Sequence, residues 1–262
     1  PAEAFDADLI LQVTSLEDCR AAADFGATRV GRYAAFSRPL ITALEEHSSV
    51  PADRIDLIHP GVKASEEPVC FSHPERLPTL LCSSPLESDS GVDRLIEAAD
   101  LLRRRNHDFM LFLLGAGSQE LALRHMIRQR KLLSHVALAH LVQGLAQAMN
   151  NADIYVRPSE DTAFSDDTLH AMGAGLAVVT GASPVCDHYR PGETAVVCDR
   201  LDAESLADAL ERMITDRAGA QFLAASAMAY VRTHHAVSLM AERSAEAYRR
   251  LGLARATFPL KE

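Results

Sequence analysis

The stretch DIYVRPSEDTAFSDDTLHAMGAGLAVVT, Asp153 to Thr180, decides the fold. A short apolar run, Ile154–Val156, leads through the polar loop Arg157–Asp167 into a helical segment, Asp167–Gly175, and then into a second apolar run, Ala177–Thr180. Two short apolar runs joined by a helix make a βαβ unit, which places the strands in parallel and buries both faces of the sheet. The same alternation extends in both directions. Thr79–Ser83, Phe109–Leu114, His135–Ala139 and an edge near Ala195–Cys198 read as further strands. Ahead of them lie Leu9–Val13, Arg29–Tyr33 and Arg54–Ile58, with helical stretches near Leu16–Phe25 and Arg38–His47. The tail reads as three helices, Ala203–Thr215, Ala218–Thr233 and Ser238–Leu251. The expected fold class is α/β, a Rossmann-like doubly wound parallel sheet with a partial second α/β domain at the N-terminus.

Lys63–Leu77 has no periodicity and carries Pro68 and Pro74, with Pro78 just beyond it. It divides the chain into a first α/β region over 1–62, a linker over 63–78 and the sheet domain over 79–262. Ser90, with Asp93 three residues on, matches a capping box for the helix that puts Val92, Leu95, Ile96, Ala99 and Leu102 on one face.

The formal net charge is -10, the wrong sign for a nucleic-acid backbone. The basic spots Arg103–Arg105 and Arg124–Lys131 fall on helices and read as solvated faces. No apolar run reaches membrane-spanning length, and Glu3, Asp6 and Asp8 do not suit a signal peptide. The first residue is Pro1, so the chain reads as processed or as a piece of something longer. Five cysteines without C-x-x-C spacing argue against a disulfide framework or a zinc site, and for a reducing, cytoplasmic setting.

Doubly wound sheets bind ligands at the carboxyl ends of their strands, so the loops Ser83–Ser90, Leu114–Ser118, Arg157–Asp167 and Thr180–Asp187 are the places for a site. Gly115-Ala116-Gly117 allows two readings: a backbone cradle for phosphate, or a tight turn that needs small residues. Asp166 and Asp167 stand at the start of a helix, where they serve as caps and oppose an anion at the same place. His188 beside Asp187 makes no acid–base pair, because chain neighbours do not usually face one another. His234-His235 has no metal-ligand partners at recognisable spacing, and no metal or other cofactor is expected.

From Ile58 to about Leu251 the sequence resembles the C-terminal part of the GT-B retaining glycosyltransferases called family four, or group one. Ile58-His59-Pro60-Gly61-Val62 resembles the interdomain I-P-N-G-V. Gly91–Ala98 resembles K-G-x-D-x-L-I-E-A after its lysine, and Leu113–Gly117 resembles L-V-G-x-G. Ala152–Ser159 resembles A-D-x-x-V-x-P-S, Ala171–Val179 resembles A-M-A-x-G-x-P-V-V, and Gly192-Glu193-Thr194 resembles G-E-T-G. Residues 1–58 then match the end of the family's acceptor domain, most of which would be missing, and the last helix would cross back toward it.

The resemblance implies a nucleotide-diphosphate sugar as donor, an acceptor across the cleft, and transfer with retention, usually without metal. An arginine and a lysine would neutralise the leaving group, and two glutamates would hold the donor. Here the arginine position aligns with Pro85, the lysine with Ser90, and the glutamates with Thr162 and His170; the glycine before the helix is Ser165, and the acid of the P-E turn is Asp187 after Cys186. The candidate donor-binding residues are Gly115, Gly117, Thr162, Phe164, Ser165, Asp166 and His170, with no catalytic residue assigned. Glu160, Arg157 and Arg190 are candidate substitutes. Two expectations follow: a nucleotide-sugar-binding half of a glycosyltransferase with a degenerate, inactive site, or a non-catalytic module whose partner is another protein.

Overall fold

The computed structural model describes residues 9–22, 30–140, 144–160 and 162–251. The positions 23–25 of the first helical stretch, Arg29 and loop residue Asp161 lie outside them.

The larger sheet has six parallel strands: β4 (Thr79–Ser83), β5 (Met110–Leu114), β6 (Val136–Ala139), β7 (Ile154–Arg157), β8 (Ala177–Gly181) and β9 (Val196–Cys198), in spatial order β6-β5-β4-β7-β8-β9. The order reverses between β4 and β7, which is the switch point of a doubly wound sheet. Period-two alternation sorts the strand residues onto the two faces. Leu80, Cys82, Ile154, Val156, Ala177 and Val179 join one core; Leu81, Tyr155 and Val178 join the other.

Helices α3 (Val92–Arg104), α4 (Glu120–Gln129) and α7 (Ala203–Thr215) cover the first face through Leu95, Ile96, Ile127 and Leu210. The short α5 (Leu145–Met149) and α6 (Asp166–Ala174) cover the second through Met149, Leu169 and Met172. Helix α8 (Arg217–His234) serves both, with Leu223 on one side and Val231 on the other. Each fully buried Leu or Ile contributes about 1.5–3 kcal/mol.

The first lobe is a three-stranded parallel sheet, β1 (Leu9–Val13), β2 (Val30–Ala35) and β3 (Ile55–Leu57), in that order, with α1 (Leu16–Ala21) and α2 (Arg38–His47). Its core of Val13, Tyr33, Leu40 and Leu44 also takes in Val185 and Cys186 from the second lobe. Helix α9 (Val237–Arg250) returns to this lobe: Ala247 packs with Ala34 and Ile58, and Arg250 pairs with Asp56 at 3.0 Å.

Several local expectations change. The capping box at Ser90 does not form. Gly91 is the N-cap, at φ 71, and Ser90 Oγ turns back to the Glu87 carbonyl at 2.7 Å. A capping box does form at Ser15 with Asp18. Nor do Asp166 and Asp167 cap their helix; Ser165 is the N-cap, without a side-chain bond, and both acids lie in the first turn. The 63–78 stretch has no helix or strand, yet Cys70 and Phe71 are buried in the core. The Asp153 carboxylate, 3% exposed, accepts from the amides of Phe71 at 2.7 Å and Thr79 at 2.8 Å, which fixes the stretch against β7.

Within the basic spots Arg103 and Arg104 pair with Asp100, Arg105 with Glu204, Asp208 and Glu211, and Arg130 with Glu97. All five cysteines are buried, and none is in a disulfide among the described residues. Among the described residues, no helix is long and apolar enough to cross a membrane.

Candidate functional site

The loops after β4, β5 and β7 meet beside the switch point, where a doubly wound sheet offers its ligand crevice. In this protein they close on one another. A Cβ on Gly115 would stand 2.0 Å from the Ser84 carbonyl oxygen, and one on Gly117 would stand 2.4 Å from that of Leu86. The glycines therefore allow backbone to approach backbone. Leu86 N donates to Ala116 O at 3.0 Å, and Gln119 N to Leu86 O at 2.9 Å. Ser118 donates both its amide, at 3.0 Å, and its hydroxyl to the Glu87 carboxylate. These bonds hold the Glu87 carboxyl below its usual range. An acid of the chain thus takes the donors at the start of α4 that a phosphate would take.

Beside it, Ser83 Oγ donates to Asp167 at 2.7 Å and lies 2.7 Å from the Tyr155 hydroxyl. The phenol is fully buried, which pushes its pKa up, so it stays protonated. Pro85 and Ser90 add no positive charge here.

The loop after β7 is bound to the first lobe. Ser15 and Ala163 form an antiparallel bridge, Phe164 N donates to Thr14 O at 2.7 Å, and Leu16 N to Thr162 O at 3.1 Å. The Phe164 ring meets Phe36 edge-on at 5.8 Å. Thr162 and Phe164 are thus held by main-chain bonds across the lobes, while Ser165 is buried. Asp166 and His170 come together on a separate cavity of about 210 Å³ between the lobes, lined also by Gln12, Phe36, Pro60 and Met240. Burial raises the Asp166 pKa, with the nearby His170 working against it. The structure therefore separates the sequence-derived candidates into three places: Gly115 and Gly117 at the closed turn, Thr162, Phe164 and Ser165 at the lobe seam, and Asp166 with His170 at the cavity. Of the candidate substitutes, Arg190 stacks over Tyr230 at 4.5 Å and pairs with Glu193.

A second cluster, at the junction of the lobes, gathers residues that the sequence reading weighed in separate pairs and set aside. Asp187 Oδ2 accepts from the Arg38 amide at 3.1 Å and from His59 Nε2 at 3.2 Å. Arg243 donates to His59 Nδ1 at 3.0 Å, which places the His59 proton on Nε2. His235 Nδ1 donates to Pro60 O at 3.1 Å. Rings of His188 and His235 lie 5.8 Å apart, and those of His59 and His235 4.8 Å apart. Burial pushes His188 down to about 3 and His235 to about 4, so both are neutral at neutral pH. For Asp187 burial acts upward, but the bonds from His59 and the Arg38 amide prevail and bring it to about 2. The pairing of His59 with Asp187 spans 128 positions in sequence. The neighbouring pairs Asp187-His188 and His234-His235 were the signals in the sequence, and only the fold joins them.

Comparison with known proteins fits this geometry. The family described as "Glycosyl transferases group 1" matches residues 77–216. A glycogen synthase of Mycobacterium tuberculosis is 30% identical over 171 residues, 64% of this chain and 41% of the relative. A GDP-mannose-dependent alpha-(1-6)-phosphatidylinositol monomannoside mannosyltransferase of the same species is 26% identical over 164 residues, 59% of this chain and 43% of the relative. The chain thus spans about two-fifths of these relatives' length. Anabaena HepE in complex with UDP shares the fold at TM-score 0.79 and 16% identity, over 95% of this chain and 74% of that one. Sucrose-phosphate synthase from Thermosynechococcus elongatus shares it at TM-score 0.77 and 19% identity, over 94% and 68%. A parallel six-stranded sheet in switch-point order, a first lobe tied back by the last helix, and a family match over more than half the residues lead to one statement: this chain belongs to the group 1 glycosyltransferases.

Proposed function

We propose that this chain is a nucleotide-sugar-binding-type half of a group 1 glycosyltransferase whose donor site has lost sugar transfer. The observation that carries this reading is the Glu87 carboxylate, bonded to Ser118 at the turn where a donor diphosphate would lie. A diphosphate leaving group needs positive charge, and losing one stabilising contact of this kind costs on the order of a hundredfold in rate. Pro85 and Ser90 supply none, and Glu87 and Asp167 add negative charge. Anabaena HepE, of the same fold and solved with UDP and with UDP-glucose, sets the ligand class to test. The reaction lost would be transfer from a nucleotide-diphosphate sugar with retention. The protein then acts as a non-catalytic module that keeps the frame for contact with a protein partner, in the reducing, cytoplasmic setting suited to five buried cysteines without a disulfide.

Calorimetric titration with UDP, GDP and ADP, run beside a sugar-transfer and donor-hydrolysis assay, tests this. The expected result is no turnover and binding weaker than about 1 mM. The double variant P85R/S90K should gain UDP binding of about tenfold or more, because it restores two cations to a phosphate site. Turnover that His170→Ala abolishes would overturn the proposal.

A second reading, a divergent but active enzyme, draws on the cavity shared by Asp166 and His170. At about 210 Å³ it is smaller than the roughly 300–1,000 Å³ of common ligand sites. Such a space suits a sugar ring or a ribose, and a nucleotide-diphosphate sugar needs the lobes to part.

A further inference from the structure

We propose that Asp187, His188 and His235 form a binding site for a divalent transition-metal ion of the zinc type, placed where the two lobes join. Their ligand atoms all lie within 4.8 Å of one another. His188 is 0% exposed and His235 1% exposed, so neither ring can reach bulk water. Both ring nitrogens of His188, Nε2 of His235 and Oδ1 of Asp187 are buried without a hydrogen-bond partner among the described residues. A buried polar atom left unpaired is destabilising, and here one such atom from each of three residues faces a common spot.

The surrounding bonds prepare two of the three groups, His235 and Asp187, as ligands. His235 spends its Nδ1–H on Pro60 O, so Nε2 carries a free lone pair directed into the cluster. Arg243 holds the His59 tautomer, and His59 with the Arg38 amide occupies Oδ2 of Asp187, leaving Oδ1 for the ion. Two imidazoles and a carboxylate suit zinc and its first-row neighbours, and a water would complete four coordination. Tetrahedral zinc places its ligand atoms about 3.4 Å apart, so the longest gap must close by about 1.4 Å, within reach of small side-chain rotations. The three ligands come from the turn after β8 and the end of α8, while their supporting bonds come from Arg38 and His59. An ion here would hold Asp187 where it accepts from the Arg38 amide of the first lobe.

The test uses the full chain, stripped with chelator and titrated with Co²⁺ as an optical probe and with Zn²⁺ for stability. The expected result is one Co²⁺ per chain with the intense visible bands of a tetrahedral nitrogen–oxygen site. Saturating Zn²⁺ should raise Tm by about 5 °C or more. His188→Phe and His235→Gln should each lose the bands and the Tm rise. The wild-type spectrum alone decides the matter if either variant fails to fold. Absent bands and an unchanged Tm would overturn the proposal and leave a polar pocket for water. Equal binding by both variants would also overturn it, assigning the ion to exposed histidines such as His73 or His140.

Discussion

The turn beyond β5 and the hinge beyond β8 both gather polar side chains at the carboxyl ends of strands, on opposite terms. At the turn, Ser118 meets Glu87 and Ser83 meets Asp167, so the hydroxyls and acids satisfy one another. At the hinge, His188 and His235 are buried with nitrogens that meet nothing among the described residues. Bonds between groups of the same chain close a crevice and make it structure. Lone pairs left over inside the protein call for a partner, and the proposed ion would be one. The turn beyond β5 is thus self-satisfied, while the buried cluster beyond β8 keeps unpaired polar atoms.

Substitutions can break this contrast. Gly91→Ala should have the largest effect. Its φ of 71 disfavours a side chain, and the new Cβ would stand 2.0 Å from the Pro158 carbonyl oxygen. A loss of about 3 kcal/mol or more in urea unfolding is expected; a loss under about 1 kcal/mol would mean that the loops of the closed side are not packed as described. Ser83→Ala should cost about 2 kcal/mol, because it strips Asp167 and Tyr155 of a shared partner. His188→Phe, measured in chelator, should cost less than about 0.5 kcal/mol or raise stability, since it replaces unpaired nitrogens with carbon of similar shape. A cost as large as that of Ser83→Ala would show that His188 has a protein partner after all, and the contrast would fall.

The parallel sheet was legible because alternate strand residues had to be apolar on both faces, as in Ile154–Val156 and Ala177–Val179. The last helix's return to the first lobe was legible only through the family resemblance. Ser90 misled because a capping box is read from residue types, whereas Gly91 adopts a left-handed conformation that turns the serine away. The aperiodic 63–78 stretch read as a linker because Phe71 is fixed by Asp153, a partner 82 positions distant. The hinge was hidden for the same reason. Its histidines have meaning only once residues 59, 188 and 235 share a volume, and nothing in their spacing announces it.

Helix α9 carries a practical consequence. Ala247 fills the space beside Ala34 and Ile58, and Arg250 answers Asp56, so the first lobe is assembled from both early and late stretches of the chain. No single cut separates the lobes. A dissected second lobe that ended at His234 would leave its neighbour without a wall, and one that kept residues 237–250 would carry a helix with no surface to lie on. Swapping this lobe between relatives requires exchanging two segments at once, so its inheritance by recombination is constrained at both.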